Sequence, residues 1–283
     1  MPEILQFEFM QNALCASILA SMICGVIGTL VVVNRIVFIS GGIAHAAYGG
    51  IGIAFFFGLP YLAATLGFSL LIAAIMAAVT LKAKHRADTV IGVLWAVGMA
   101  LGVLLLDMTP GYNADLMSYL FGSILTVPDS DLRLMLLLTV GIILTVGYFY
   151  NDLLAMSYDE EFARVRGLPA GFLYFLLLGM IAVSVVMLIR VAGLILVIAL
   201  LTIPPYIAER YSKSLSMMML ISGLLSTGFT LAGLWISYAF NLTSGATIIM
   251  VSGTGFFVSI LLDRVKAGFR SCRKDEDNNV SSL

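Results

Sequence analysis

Long apolar runs separated by single polar clusters set the pattern of this chain. Phe9 to Asn34 carries no charge between Glu8 and Arg35, and Ile36 to Leu81 holds His45 as its one group titrating near neutral pH before Lys82. A helix rising ~1.5 Å per residue needs ~20 residues to cross ~30 Å of hydrocarbon. The first run is therefore one span. The second is too long for one and, broken at Gly58-Leu59-Pro60, reads as two. Single spans follow at Thr89 to Leu106, Leu134 to Asn151, Gly167 to Ile189 and Val191 to Ala208. Two more fit between Ser214 and Leu262, around a break at Asn241 to Gly245. The pattern predicts an all-α polytopic membrane protein of about eight to nine transmembrane helices. Leu116 to Pro128 is apolar but too short to cross easily, which suits a re-entrant or surface helix.

Composition agrees with that reading. The 283 residues are 61% hydrophobic and 11% charged, where a soluble domain carries about a quarter charged residues. A net charge of −1 leaves no basic face for nucleic acid, which needs its phosphates neutralised. No basic n-region precedes the first apolar run, so a cleavable signal is not expected. Lys and Arg favour cytoplasmic loops. With the N-terminus outside, the inner loops collect Arg35, the Lys82 to Arg86 cluster, Arg164, Arg166, Arg210, Lys213 and the basic residues from Arg264 onward. Only Arg133 and Arg190 remain outside, so the expected topology is N-terminus outside and C-terminus cytoplasmic. Residues 1–270 form a single transmembrane domain on this reading, and the polar stretch 271–283 is expected to be a disordered cytoplasmic tail.

Helices in lipid associate through small residues rather than through burial of apolar area. Gly42, Ala46, Gly50 and Ala54 repeat every four residues, and Gly98 and Gly102 form a second small pair. Both are expected to be packing seams. Cys15 and Cys24, nine residues apart, fall on opposite sides of one helix and can share neither a disulfide nor a metal. His45 stands out because ionisable residues within spans usually face a pathway or a polar cavity. Its i±4 neighbours, Gly41 and Gly49, are read as leaving room for a cation or water, and a neutral imidazole is a common transition-metal ligand. An interhelical hydrogen bond to a backbone carbonyl or hydroxyl is the other role that spacing leaves open.

The segment SYDEEFARVRGLPAG reads as a short charged helix at the inner surface. Ser157 and Glu160 stand in capping-box spacing, Asp159, Glu160 and Glu161 put negative charge at the N-terminus, and Arg164 follows Glu160 by four residues. Gly167 supplies the stop, and Pro169 disfavours continuation. Such a helix serves either as a connector or as a docking point for a cytoplasmic partner. No Gly-Lys dipeptide occurs, so a P-loop is absent, and no HExxH, GxSxG or intramembrane carboxylate pair is present. The chain reads as a conduit driven by something else, not as an enzyme.

Five ordered blocks complete the pattern: ISGGIAHAAYGGIGIAFFFG, DLMSYLFGSIL, YDEEFARVRGLP, VAGLILVIALLTIPPYIAER and GATIIMVSG. Over roughly Ala13 to Leu262 the chain resembles the membrane permeases of ABC importers for zinc, manganese and iron. That resemblance implies a homodimer in the cell membrane of a prokaryote, two cytoplasmic ATPases that bind ATP, and an external metal-binding protein. It implies a coupling role for Asp159, Glu160, Glu161, Arg164 and Gly167, a place for His45 near the path of a divalent metal, and no resident cofactor. Many members carry an aspartate four residues before the histidine, where this chain has Gly41. Loss of a hard oxygen ligand leans the expected cargo toward zinc. The outer carboxylates Asp107, Asp115, Asp129 and Asp131 either dock the binding protein or are solvated loop ends. Permeases for iron chelates or cobalamin, and a proton- or sodium-coupled carrier using His45, are the alternative readings.

Overall fold

The computed structural model describes residues 8–82, 87–110, 122, 124 and 127–280, with side chains described as far as Arg264. The described residues form α1 (Glu8–Val33), α2 (Val37–Phe57), α3 (Tyr61–Lys82), α4 (Ala87–Asp107), α5 (Asp129–Tyr148) and α6 (Tyr150–Tyr158). They continue as α7 (Glu160–Val165), α8 (Ala170–Ala192), α9 (Leu194–Glu209), α10 (Leu215–Phe240) and α11 (Ser244–Val280). Eight of these, α1 to α5, α8, α10 and α11 as far as Arg264, are long and apolar enough to cross a membrane.

The expected span from Val191 to Ala208 comes out shorter. Gly193, at φ 81° and ψ 159°, breaks the chain after α8, so α9 keeps only 16 residues and carries Pro204 and Pro205 inside it. At ~1.5 Å per residue that is ~24 Å, less than the hydrocarbon thickness. Gly122, at φ 60°, lies against this break; a Cβ there would come within 2.3 Å of the Ala192 carbonyl carbon. Of the apolar piece from Leu116 to Pro128, only Gly122, Ile124, Val127 and Pro128 are described, with Ile124 and Val127 buried. The block from Asp115 to Phe121 lies outside the described residues.

Polar ties at the helix ends define two faces. Asn12 of α1 donates through Nδ2 to Asp129 Oδ1 at 2.8 Å, and Arg190 of α8 pairs with Asp131 Oδ2 at 2.8 Å. The same guanidinium lies 5.6 Å over the Tyr61 ring. The starts of α1, α3 and α5 and the end of α8 therefore share one face. On the opposite face Asn34 donates to Ser157 Oγ at 2.8 Å, Ser216 N–H donates to Tyr150 Oη at 3.1 Å, and Arg210 pairs with Asp263. Because α8 ends on the first face and α9 ends on the second, α9 also runs from face to face. The described cations divide the same way: Arg35, Lys82, Arg164, Arg166, Arg210, Lys213 and Arg264 sit at the second face, and Arg133 and Arg190 at the first.

Packing in the interior rests on small residues, as the glycine spacing predicts. A Cβ on Gly102 would stand 2.4 Å from the Tyr48 carbonyl oxygen, and one on Gly98 would stand 2.8 Å from Ala46 Cα. α2 and α4 therefore meet backbone to backbone. α1 and α10 are joined by a buried contact between the hydroxyls of Ser21 and Thr230 at 3.3 Å, the kind of interhelical bond that replaces hydrophobic burial in lipid. The outward residues are apolar, among them Leu137, Leu144, Leu220, Leu224 and Leu261, each more than half exposed. The backbone of α11 stays helical to Val280, through most of the stretch whose composition suggests disorder; no proline lies there to end it.

Candidate translocation and coupling sites

His45 lies nine residues into α2, well inside the span. Its ring stacks on Trp95 of α4 with centroids 4.2 Å apart and planes 18° from parallel. Its Nδ1 lies 3.2 Å from the Met99 sulfur. Trp95 and Met99, four residues apart, share one face of α4, and Gly98 between them lets that face approach Ala46. The interhelical partner of the imidazole is thus a thioether rather than a carbonyl or hydroxyl. Neither Trp95 nor Met99 announces itself in the sequence, since each is an apolar residue within an apolar run.

The space expected on both sides of the imidazole exists on one. A Cβ on Gly41 would meet nothing within 4 Å, so the position four residues before the histidine is open. At Gly49 a Cβ would fall 2.8 Å from the Gly98 carbonyl oxygen and 2.8 Å from the Phe68 ring, so this glycine belongs to the packing seam. Among the described residues no three His, Cys, Asp or Glu side chains gather into a metal-holding group. Phe38, two turns before His45, tilts against Trp95 with centroids 5.9 Å apart. Phe38 also lines a cavity of about 830 Å³ that opens at the second face between Asn34, Thr80, Glu160, Tyr174 and Lys213. The aromatic pair thus connects the imidazole to the rim of a polar cavity.

Glu160 carries that cavity to the charged corner between α6 and α7. Ser157, expected as the helix cap, is instead part of α6, where its hydroxyl accepts from Asn34. The cap is Asp159: its backbone turns to φ −151° and ψ 99°, and its carboxylate accepts from Phe162 N–H at 2.9 Å. Glu160 pairs with Arg164 one turn on. Such an exposed pair contributes only about 0.3–0.5 kcal/mol. Gly167, at φ 80°, accommodates the turn that leads into α8. Of the α7 residues, Ala163 is buried, whereas Glu161 is exposed, as are Phe162 at 54%, Val165 at 86% and the neighbouring Tyr158 at 71%. Asp159, Glu160, Glu161, Arg164 and Gly167 therefore make one corner, with three large apolar side chains turned outward beside it.

The carboxylates of the first face are less free than loop ends would be. Asp131 is 6% exposed and ion-paired with Arg190, and Asp129 accepts from Asn12. Asp107 is exposed, and Asp115 lies outside the described residues. Opposite charge accounts for the Asp131–Arg190 pair and an amide donor for the Asp129 bond; a linear sequence shows the partners but not their juxtaposition.

The sequence profile of the ABC 3 transport family matches residues 6–263. This chain belongs to the ABC 3 transport family. An uncharacterized membrane protein of a Synechocystis species is 49% identical, covering 93% of this chain and 94% of that protein. The manganese import system permease protein ScaB of Streptococcus gordonii is 30% identical, over 90% of this chain and 92% of its own. Among solved structures, PsaBC from Streptococcus pneumoniae in complex with Fab superposes with a TM-score of 0.81 at 30% identity, covering 90% of this chain and 91% of that one. As an ABC 3 transport family member the chain is a multi-pass membrane permease, a transport subunit rather than an enzyme. Membership also sets aside an ion-coupled secondary carrier.

Proposed function

We propose that this chain is the membrane-spanning subunit of an ABC importer for a divalent transition-metal ion, with His45 on the ion's path. The observation that carries the reading is an imidazole held within a span, stacked on Trp95 and beside the open position at Gly41. The first face is external and the second cytoplasmic, in keeping with the gathering of Lys and Arg at the second. Two copies enclose the path. An external metal-binding protein delivers the ion to the first face, and a separate ATPase docks at the corner from Asp159 to Gly167. Phe162, Val165 and Tyr158 supply the apolar contact that such docking uses, and Glu161 and Arg164 supply exposed charges beside it. ATP binds the partner chain, and its hydrolysis moves α7 against the cavity lined by Glu160 and Lys213.

Zinc is the favoured cargo, because the position that would offer a hard carboxylate is Gly41 and imidazole suits zinc. Manganese is the second reading, favoured by the name of the ScaB relative. Uptake of radioactive zinc, manganese and iron into proteoliposomes holding this chain, its ATPase and its binding protein decides between them. ATP-dependent zinc uptake that falls at least tenfold in His45→Ala, with ATPase association intact, is the expected result. Unchanged uptake in that variant removes His45 from the path. ATPase stimulation by an iron chelate, without uptake of any free ion, moves the assignment to the chelate importers.

A further inference from the structure

The carboxylate absent at Gly41 leaves His45 with a different neighbour, the thioether of Met99. An ion held by one nitrogen at ~2.1 Å and one sulfur no nearer than the ~2.3 Å of a thiolate sets those two atoms at least ~3.1 Å apart at a right angle and at least ~3.6 Å apart at a tetrahedral angle. Nδ1 and the Met99 sulfur stand 3.2 Å apart, so the pair spans one metal with a movement of a few tenths of an ångström. Methionine's three rotatable bonds give it that freedom. Trp95, stacked at 4.2 Å, holds the ring plane so that Nδ1 keeps facing the sulfur. The open space at Gly41, one turn nearer the cavity, leaves room for waters to complete the coordination of such an ion.

We propose that Met99 is a second ligand on the ion's path and the residue that biases this permease toward zinc over manganese. The inference rests on the reading that the ion passes His45. Both donors are uncharged, so the site is weak, as a transit site must be if the ion is to leave it. A thioether is a soft donor that suits zinc, whereas manganese prefers carboxylate, carbonyl and water oxygens.

The test compares the wild type, Met99→Leu, Gly41→Asp and His45→Ala in the reconstituted transporter with its ATPase and binding protein, using radioactive zinc and manganese. Leucine keeps the volume of methionine, and unchanged thermal unfolding and unchanged association with the ATPase confirm that Met99→Leu folds. The expected result is a fall in the zinc-to-manganese uptake ratio of at least the ~10-fold that loss of an outer-shell metal partner costs. Gly41→Asp, which adds an oxygen donor, lowers the same ratio by raising manganese uptake. Zinc K-edge absorption on the loaded complex reports a sulfur neighbour in wild type that Met99→Leu lacks. An unchanged ratio in Met99→Leu, or no difference in the sulfur shell, overturns the role of Met99 even where His45→Ala abolishes uptake. Full uptake in His45→Ala defeats the path reading itself.

Discussion

Asp159 caps a helix of only six residues. A helix that short does not hold itself together in water, since its nucleation cost is spread over too few hydrogen bonds. Its carboxylate satisfies the Phe162 N–H, its charge sits at the positive end of the dipole, and Ala163 anchors the far side in protein. Asp159→Ala removes the cap at a cost of about 1 kcal/mol. The expected outcome is faster hydrogen exchange at the Phe162 amide and less ion moved per ATP hydrolysed, with the rest of the chain unaltered. Exchange unchanged at Phe162 would show that tertiary contacts alone hold α7. Residue identity is a good guide here to the existence of a charged corner and a poor one to its cap. Ser157 and Asp159 both precede the helix at plausible spacing, and the choice is made by Asn34, more than a hundred residues away, which engages the serine.

Among elements, α2 and α4 meet backbone to backbone, and the spacing of that seam is readable in the sequence. Gly98 and Gly102 sit one turn apart on α4, and lipid offers helices little reward for joining except close contact. Gly102→Val would push a side chain into the Tyr48 carbonyl, and the helices would have to part. The loss should reach at least the roughly 1–3 kcal/mol of overpacking, read as a lower unfolding temperature in detergent. Gly92→Val on the same helix, where a Cβ meets nothing within 4 Å, should change that temperature little. The runs from Phe9, Ile36, Thr89, Leu134 and Gly167 each foretell a helix because apolar length alone decides a span. α9 escapes the same logic because its length is set by a backbone turn at Gly193 rather than by hydropathy. The pairing of His45 with Met99 escapes it too. Apolar residues in apolar runs carry no mark of which helix they will face, and only the register fixed by the glycine seam brings that sulfur to that nitrogen.

At the scale of the molecule, the two faces differ in charge, and that asymmetry predicts that the second face is cytoplasmic. In a variant lacking its native cysteines, Lys213→Cys in intact cells should resist a membrane-impermeant thiol reagent, whereas Asp107→Cys should react. The opposite pattern would invert the topology. α9 packs mainly against α1, α10 and α11. Two of these three neighbours are made after it. Its ~24 Å length is too small to match the bilayer unaided, so its place in the membrane depends on α1, made before it, and on α10 and α11, made after it. Assembly around this segment is therefore split in time: a ribosome halted after Arg210 has made α9 and one wall of its housing, and the other two walls arrive only with α10 and α11.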